Sequence, residues 1–441
     1  MSWLASHRFN VLGSKVQRTS KAAVLAAIYP FLFGCVLFMS GCGGSPSGGG
    51  VSPSPPPPPP PPPPSQPPPG SEFLYQFSFA SAIQVSELNT STGVLAAPIE
   101  ATPYVDFEDG GLPVLVTPSG KFMYEEGFYQ SPPLGSGFSG PASVIWGFAI
   151  GGASATLTNV PNTPVPKGTG LGFTPNGMAM DPEGKFVFCS VYNGTNSSGE
   201  SQNSILTFAI DQSTGALTQS SSLSSTSQAW LIAQTVDPSN RYLYAASGSP
   251  NGYAVTVYSI APSNGALTEI AGSPVFVLNP PEGIQYSMGV AVDAAGKFVY
   301  VTLLNFDGYG SPGIYSFSVD PASNALMTVA GSPFPVGAPG ATGFDFTNNF
   351  LYATYPGLEA ISSYDVSAGT VGSTSSTPIP SSYYGKVLVD PDAQFVVVND
   401  SFDTASTFKI NPTTGALGLV TGSPFSVGSQ WSSAVIAKIP K

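Results

Sequence analysis

The chain has one histidine, three cysteines and only 13 lysines and arginines in 441 residues. The histidine is His7, within the basic N-terminal stretch. The remainder therefore cannot build a Ser-His-Asp triad, a histidine general base or a histidine metal site. Cys35 and Cys42 sit in and just after an N-terminal apolar run, which leaves Cys189 alone in the rest of the chain. That removes a disulfide framework, a Cys-His nucleophile and a cysteine zinc site. Haem and zinc are set aside, and no cofactor or metal is expected. Cys189 follows Phe186-Val187-Phe188 on an expected strand, where a buried structural thiol fits better than a nucleophile. Charge is scarce at 9%, while glycine and proline number 50 and 46. With abundant Ser, Thr, Val, Tyr and Phe, this composition reads as all-β with many turns.

The N-terminus reads as an export signal. Arg8, Lys15, Arg18 and Lys21 form a basic region, followed by the apolar run Ala22 to Met39 and then Met39-Ser40-Gly41-Cys42. This resembles the bacterial lipobox, in which a lipidated cysteine becomes the new N-terminus. Residues 1–41 are then a lipoprotein signal peptide and Cys42 the lipidation site. Met39 stands where leucine is more usual, and an uncleaved transmembrane anchor is the alternative. Either places the remainder outside the cytoplasm, in the cell envelope, held to the membrane.

Residues 42–70 form a linker with an unbroken proline run from Pro55 to Pro64. Proline locks φ and cannot donate to a ladder, so the segment is expected to be polyproline II. At about 3.1 Å per residue, residues 52–69 could hold the body roughly 50 Å from the membrane. A loose tail differs only in stiffness. After cleavage, nine basic residues face 25 acidic ones, a net −16. Such a surface does not seek nucleic acid or anionic lipid. Membrane association would rest on the lipid at Cys42, and the body is expected to be monomeric.

From Phe73 onward one unit recurs seven times. Its clearest copy is Val292-Asp293-Ala294-Ala295-Gly296-Lys297-Phe298-Val299-Tyr300-Val301. The first aromatic of the second strand recurs as Phe73, Phe122, Phe186, Tyr242, Phe298, Phe350 and Phe395. A third strand follows with period-two pairs: Phe148/Ile150, Phe208/Ile210, Tyr258/Ile260, Phe317/Val319, Tyr364/Val366 and Phe408/Ile410. The first unit departs with Ser86/Leu88. Turn pairs such as Thr214-Gly215 and Asn264-Gly265 favour a hairpin into a short fourth strand. Gly272-Ser273-Pro274, Gly331-Ser332-Pro333 and Gly422-Ser423-Pro424 then stop the ladder, which suits an outer edge. Four strands in each of seven units predict a seven-bladed β-propeller of antiparallel blades over residues 71–441. The unit starting at Phe73 lacks a first strand. Ser433 to Ile439 is a first strand with no second. Pairing the two closes the ring.

These repeats carry a resemblance. Val-Asp-x-x-Gly-Lys-Phe-Val-Tyr-Val, Thr-Gly-Ala-Leu-Thr and Gly-Ser-Pro-Phe resemble the lactonase-type seven-bladed propellers, similar to bacterial propeller 6-phosphogluconolactonases. The resemblance covers residues 73–441. It implies the fold and, for activity, a lactone hydrolase.

The residues themselves point to chemistry only weakly. Lys121, Lys185, Arg241 and Lys297 share one repeat position and read as solvated strand starts. A phosphate-binding cluster is not apparent. Asp181, Asp237, Asp293 and Asp390 recur before the turn and read as turn caps. The acids at Asp106/Glu108/Asp109, Glu125/Glu126 and Asp400/Asp403 match no EF-hand spacing. Propeller geometry puts a site at the channel mouth, on loops entering first strands and joining second to third strands. Those segments contain Glu125, Glu126, Tyr129, Tyr192, Trp230, Tyr286, Tyr384, Asp400 and Trp431. Aromatics beside carboxylates suit a sugar ring or a peptide, although they could equally pack adjacent blades. The leading expectation is an envelope-anchored binding or scaffold protein for a carbohydrate or protein partner, not an enzyme. The alternative is a lactone hydrolase acting on a non-phosphorylated sugar lactone.

Overall fold

The computed structural model describes residues 71–77, 83–101, 113–129, 142–168, 177–195, 201–224, 230–249, 252–278, 286–305, 313–335, 343–347, 349–355, 359–380, 386–400, 403–428 and 433–439. The signal, Cys42, the proline run and the acids at 106–109 lie outside them. The chain divides into two units, Met1–Pro63 and Pro64–Lys441, and every described residue belongs to the second. Among the described residues no helix is long and apolar enough to cross a membrane. The one helical element there is a 3-10 turn, Gly152–Ser154.

The strands form seven antiparallel sheets, and six of them run inner to outer in chain order. Blade 2 begins with Val114–Val116 and Phe122–Tyr129, blade 3 with Met178–Met180 and Phe186–Thr195, and blade 4 with Trp230–Val236 and Tyr242–Ser249. Blade 5 begins with Tyr286–Val292 and Phe298–Asn305, blade 6 with Gly343–Phe346 and Phe350–Tyr355, and blade 7 with Val387–Val389 and Phe395–Asp400. Blade 1 is the composite: its inner strand is Ser433–Lys438, paired with Glu72–Phe77 from Glu72↔Lys438 to Phe77↔Ser433. The C-terminal strand thus joins the N-terminal sheet, as the split first unit predicts.

Alternation explains how seven sheets become one ring. On the second strand of blade 1, Phe73, Tyr75 and Phe77 pack with Met123, Phe148 and Leu157 of blade 2. Leu74, between them, packs with Val397 and Ala405 of blade 7. Successive side chains point to opposite faces of a strand, so each sheet has two apolar faces and each face meets a different neighbour. The seven core clusters accordingly coincide with the seven interfaces between consecutive blades. Burying one such side chain fully contributes about 1.5–3 kcal/mol. Cys189 belongs to the cluster between blades 2 and 3 and is buried, outside any disulfide.

A second device recurs at the turn between the third and fourth strands. One residue there takes positive φ in every blade: Gly93, Ala155, Gly215, Gly265, Asn324, Gly369 and Gly415, with φ from 52° to 78°. At five of them the absent Cβ is replaced by the aromatic that opens the second strand of the preceding blade. An added Cβ on Gly369 would stand 2.2 Å from Phe298, and one on Gly415 would stand 2.4 Å from Phe350. Blade 5 substitutes Asn324, whose amide donates to the Tyr242 hydroxyl at 2.5 Å. The next aromatic along the strand reaches the same turn. Tyr75 donates to the Ala155 carbonyl at 2.8 Å and Tyr124 to Gly215 at 2.7 Å.

The recurrent aspartates are turn caps. Asp293 accepts from the Lys297 and Phe298 amides at 2.6 and 2.7 Å, and Asp181, Asp237 and Asp390 repeat the pattern. The lysines and arginine beside them are exposed. The Gly-Ser-Pro motif differs from expectation. It interrupts the outer strand without ending it: in blade 4, Leu267–Glu269 and Val275–Leu278 both pair with the third strand. The Ser273 hydroxyl accepts the Val257 amide left over at the break, at 2.8 Å, and Ser332 and Ser423 do the same.

Gly369→Ala tests the turn contact. It forces a Cβ against Phe298 at φ 78° and is expected to cost about 1–3 kcal/mol in urea unfolding. Gly372→Ala, with nothing within 4 Å of the added carbon, is expected to stay within about 0.5 kcal/mol of wild type.

Candidate functional site

Inner strands converge on the propeller axis, so polar side chains at their entry ends are brought together from several blades. Glu125 lies on the second strand of blade 2, opposite Val114 at the start of the inner strand. It is 3% exposed. By alternation it faces blade 1, whose inner strand begins at Ser433. The Ser433 hydroxyl donates to Glu125 Oε1 at 2.9 Å. Lys386, the residue before the inner strand of blade 7, acts on the same carboxyl through its charge. Three consecutive blades thus contribute one carboxyl, one hydroxyl and one amine.

The electrostatics of this group are set by burial. Burial pushes the Glu125 carboxyl well above the usual carboxylate range, and the Ser433 hydrogen bond and the Lys386 charge pull it partly back. Burial lowers Lys386 to about 8, against the opposing pull of Glu125. Desolvation disfavours the charged form of each. Burial thus moves the carboxyl up and the amine down, the directions expected of an acid–base pair.

Other polar groups lock neighbouring blades together. Gln234 of blade 4 donates to the Gly177 carbonyl at 2.7 Å and to the Ser190 hydroxyl, both in blade 3. Asp345, on the inner strand of blade 6, accepts the Val389 amide of blade 7 at 2.8 Å and the Phe346 amide at 2.8 Å. Burial raises Asp345 to about 6, and the two amides oppose this. Among the described residues no group of three His, Cys, Asp or Glu side chains could hold a metal ion.

The expected site residues divide. Glu125 and Glu126 are on a strand and not on a loop, and alternation turns them to opposite faces, so the two carboxyls do not form a pair. Tyr129, Tyr192 and Asp400 also lie within second strands, and Trp230 and Tyr286 open inner strands. Tyr384 and Trp431 lie outside the described residues. Lys386, Ser433 and Asp345 were not among the expected site residues. Lys386 had a signal: Lys121, Lys185, Arg241 and Lys297 open second strands, while Lys386 alone precedes a first strand. Ser433 and Asp345 had none, since a single polar residue in a short strand is indistinguishable from an outward-facing one.

A family model described as "Lactonase, 7-bladed beta-propeller" matches residues 190–303. No curated protein matches the sequence. Among solved structures, the periplasmic gluconolactonase of Pseudomonas aeruginosa superposes with a TM-score of 0.60 at 15% identity, covering 84% of this chain and 99% of that one. A candidate 6-phosphogluconolactonase from Bacteroides uniformis gives 0.59 at 16% identity, covering 83% and 100%. A protein from Lactobacillus plantarum gives 0.60 at 16%, covering 84% and 99%. At these identities the likeness establishes the seven-bladed fold and leaves chemistry to the site.

Ser433→Ala removes the donor to Glu125 and leaves a buried acceptor without its partner. The expected cost is about 1–3 kcal/mol in urea unfolding. The loss is expected to grow as pH rises and Glu125 ionises, because a hydroxyl stabilises the ionised carboxylate more than the neutral acid.

Proposed function

We propose that the chain is an envelope-tethered lactone hydrolase acting on a non-phosphorylated sugar lactone, with its site at the inner-strand entries of blades 7, 1 and 2. The observation that carries this reading is the convergence of Glu125, Ser433 and Lys386, with burial moving the carboxyl up and the amine down. The lactonase family match and the gluconolactonase among the structural neighbours support the reaction class. The lipobox-like Met39-Ser40-Gly41-Cys42 and that neighbour's periplasmic setting support the compartment. A substrate without phosphate agrees with a body that has nine basic residues, four of them at exposed strand starts.

In this reading Glu125 acts as carboxylate. It takes a proton from water as the water oxygen bonds to the lactone carbonyl carbon, and the Lys386 ammonium stabilises the developing oxyanion. Collapse breaks the bond to the ring oxygen, and the Glu125 carboxyl returns its proton to that leaving alkoxide. Lactone and water become a hydroxy acid, with the enzyme unchanged. Ser433 positions the carboxyl. The enzyme works as a monomer, and its acidic surface keeps it off nucleic acid.

A second reading has a specific observation behind it. Glu125 is 3% exposed and bonded across a blade interface, as a purely structural lock would be. The protein would then bind a carbohydrate or protein partner without turnover.

One experiment separates them: full-length protein against a panel of sugar lactones, with a glycan and peptide array in parallel. Glu125→Gln is expected to lower kcat/KM at least about 100-fold. The wild-type profile is expected to be bell-shaped. Its acid limb lies above the ordinary carboxylate range, as Glu125 must ionise, and its alkaline limb lies near pH 8, as Lys386 loses its proton. Array binding without turnover, unchanged by Glu125→Gln, favours the second reading. For the tether, Cys42→Ser is expected to move the protein from the membrane fraction to the soluble one. Retention would favour an uncleaved helix.

A further inference from the structure

The far end of the closing strand carries a second buried group. Glu72 opens the N-terminal strand, is completely buried and lies directly opposite Lys438. Neither of its oxygens receives a donor from the protein. The charged groups that face it are Asp390 and Asp392, from the turn after the inner strand of blade 7, and Lys438. Lys438 is committed elsewhere, with its ammonium 2.5 Å from Asp392 Oδ1. Asp390 is held as an acceptor: Oδ1 takes the Gln394 and Phe395 amides at 2.6 and 2.5 Å, and Oδ2 takes the Asp392 amide at 3.2 Å. Burial raises Asp390 as well, but these three amides oppose it and favour the ionised form at Asp390 over that at Glu72, which has no such donors. Two carboxyls in contact cannot both ionise cheaply, so the proton of the pair resides on Glu72.

We propose that Glu72 is a proton-operated latch on the closure of the ring. With its proton it bridges the closing strand pair to the blade 7 turn; without it, two carboxylates push that seam apart. The place matters, because among the described residues the pairing of 72–77 with 433–438 joins strands far apart in sequence, whereas the other inner pairings join consecutive strands.

Burial first, then the Asp390 and Asp392 charges, raise Glu72 to about 8 from an ordinary value of 4.5. The folded chain keeps a proton that the unfolded chain has released. The stabilisation is therefore full below about pH 4.5, declines as pH rises and is lost by about pH 8. Glu72→Gln imitates the protonated state at every pH.

The full chain and its Glu72→Gln variant are unfolded in urea at pH 5 and pH 9. Wild type is expected to lose stability between them. The variant loses less, the remainder coming from Glu125 and Asp345, whose values are also raised by burial. At pH 9 the folded-to-unfolded ratio of the variant exceeds that of wild type by at least about tenfold. A variant whose midpoint falls as steeply as that of wild type overturns the latch. Wild type alone supplies the second measurement, hydrogen exchange by mass spectrometry corrected for intrinsic rates. Opening at 72–77 and 433–438 is expected to increase at pH 9 relative to 286–305. An equal change in both regions overturns the proposal.

Discussion

In six of the seven blades one turn residue with positive φ sits against the aromatic that begins the second strand of the blade before it. This contact sets the spacing of the ring. A closed propeller has no free edge to absorb error, so each interface must be met at nearly the same distance and angle. Where the turn residue is glycine, the ring of the preceding aromatic fills the volume of a side chain. Where it is Asn324, a hydrogen bond to Tyr242 takes over. The tyrosine two residues after the aromatic repeats the link with its hydroxyl, as Tyr75 and Tyr124 do. Core clusters, turn caps and the serine of each Gly-Ser-Pro break all follow from holding identical sheets in that relation.

The composite blade is where this regularity is used differently. A single strand, Ser433–Lys438, carries Ser433 at the end that meets Glu125 and Lys438 at the end that meets Glu72. The two polar groups are about 17 Å apart along the strand. Both place a carboxyl in a buried interface, and at the repeat position of Glu72 blades 2 to 5 carry the exposed Lys121, Lys185, Arg241 and Lys297 instead. Such groups are costly to bury; buried carboxyls also occur at Glu126, Asp181, Asp237 and Asp390, and what sets blade 1 apart is that a single closing strand meets one at each end. In the reading advanced above, one end serves catalysis and the other responds to protons.

The fold was legible because it is written seven times. The Phe73-to-Phe395 aromatics, the period-two third strands and the unmatched first strand at Ser433 each specify blade geometry through local patterns. Asp293 and its counterparts were readable as caps for the same reason: a side-chain oxygen four and five residues before two amides is a local arrangement. The candidate site was only half legible. Glu125 stood out as a carboxyl near the expected mouth, but Ser433 is 308 residues away in sequence, and no local pattern joins them. Glu126 looked like its partner because adjacency in sequence was taken for adjacency in space, whereas a strand turns neighbours to opposite faces. Glu72 was hidden by its position beside the first aromatic of the repeat, where a strand-starting acid reads as solvated. The Gly-Ser-Pro break was misread for a related reason: proline forbids a ladder bond at its own position but does not prevent the strand from resuming beyond it.

The most direct test of this account is a double-mutant cycle at one turn contact, Gly415→Ala with Phe350→Leu, followed by urea unfolding. If the aromatic is what the missing Cβ makes room for, shortening Phe350 relieves part of the strain at Gly415. The two substitutions should then be less costly together than their sum by about 1 kcal/mol or more. Additive costs, within about 0.3 kcal/mol, would mean that the glycine answers only to its own backbone and that the spacing of the ring is set elsewhere.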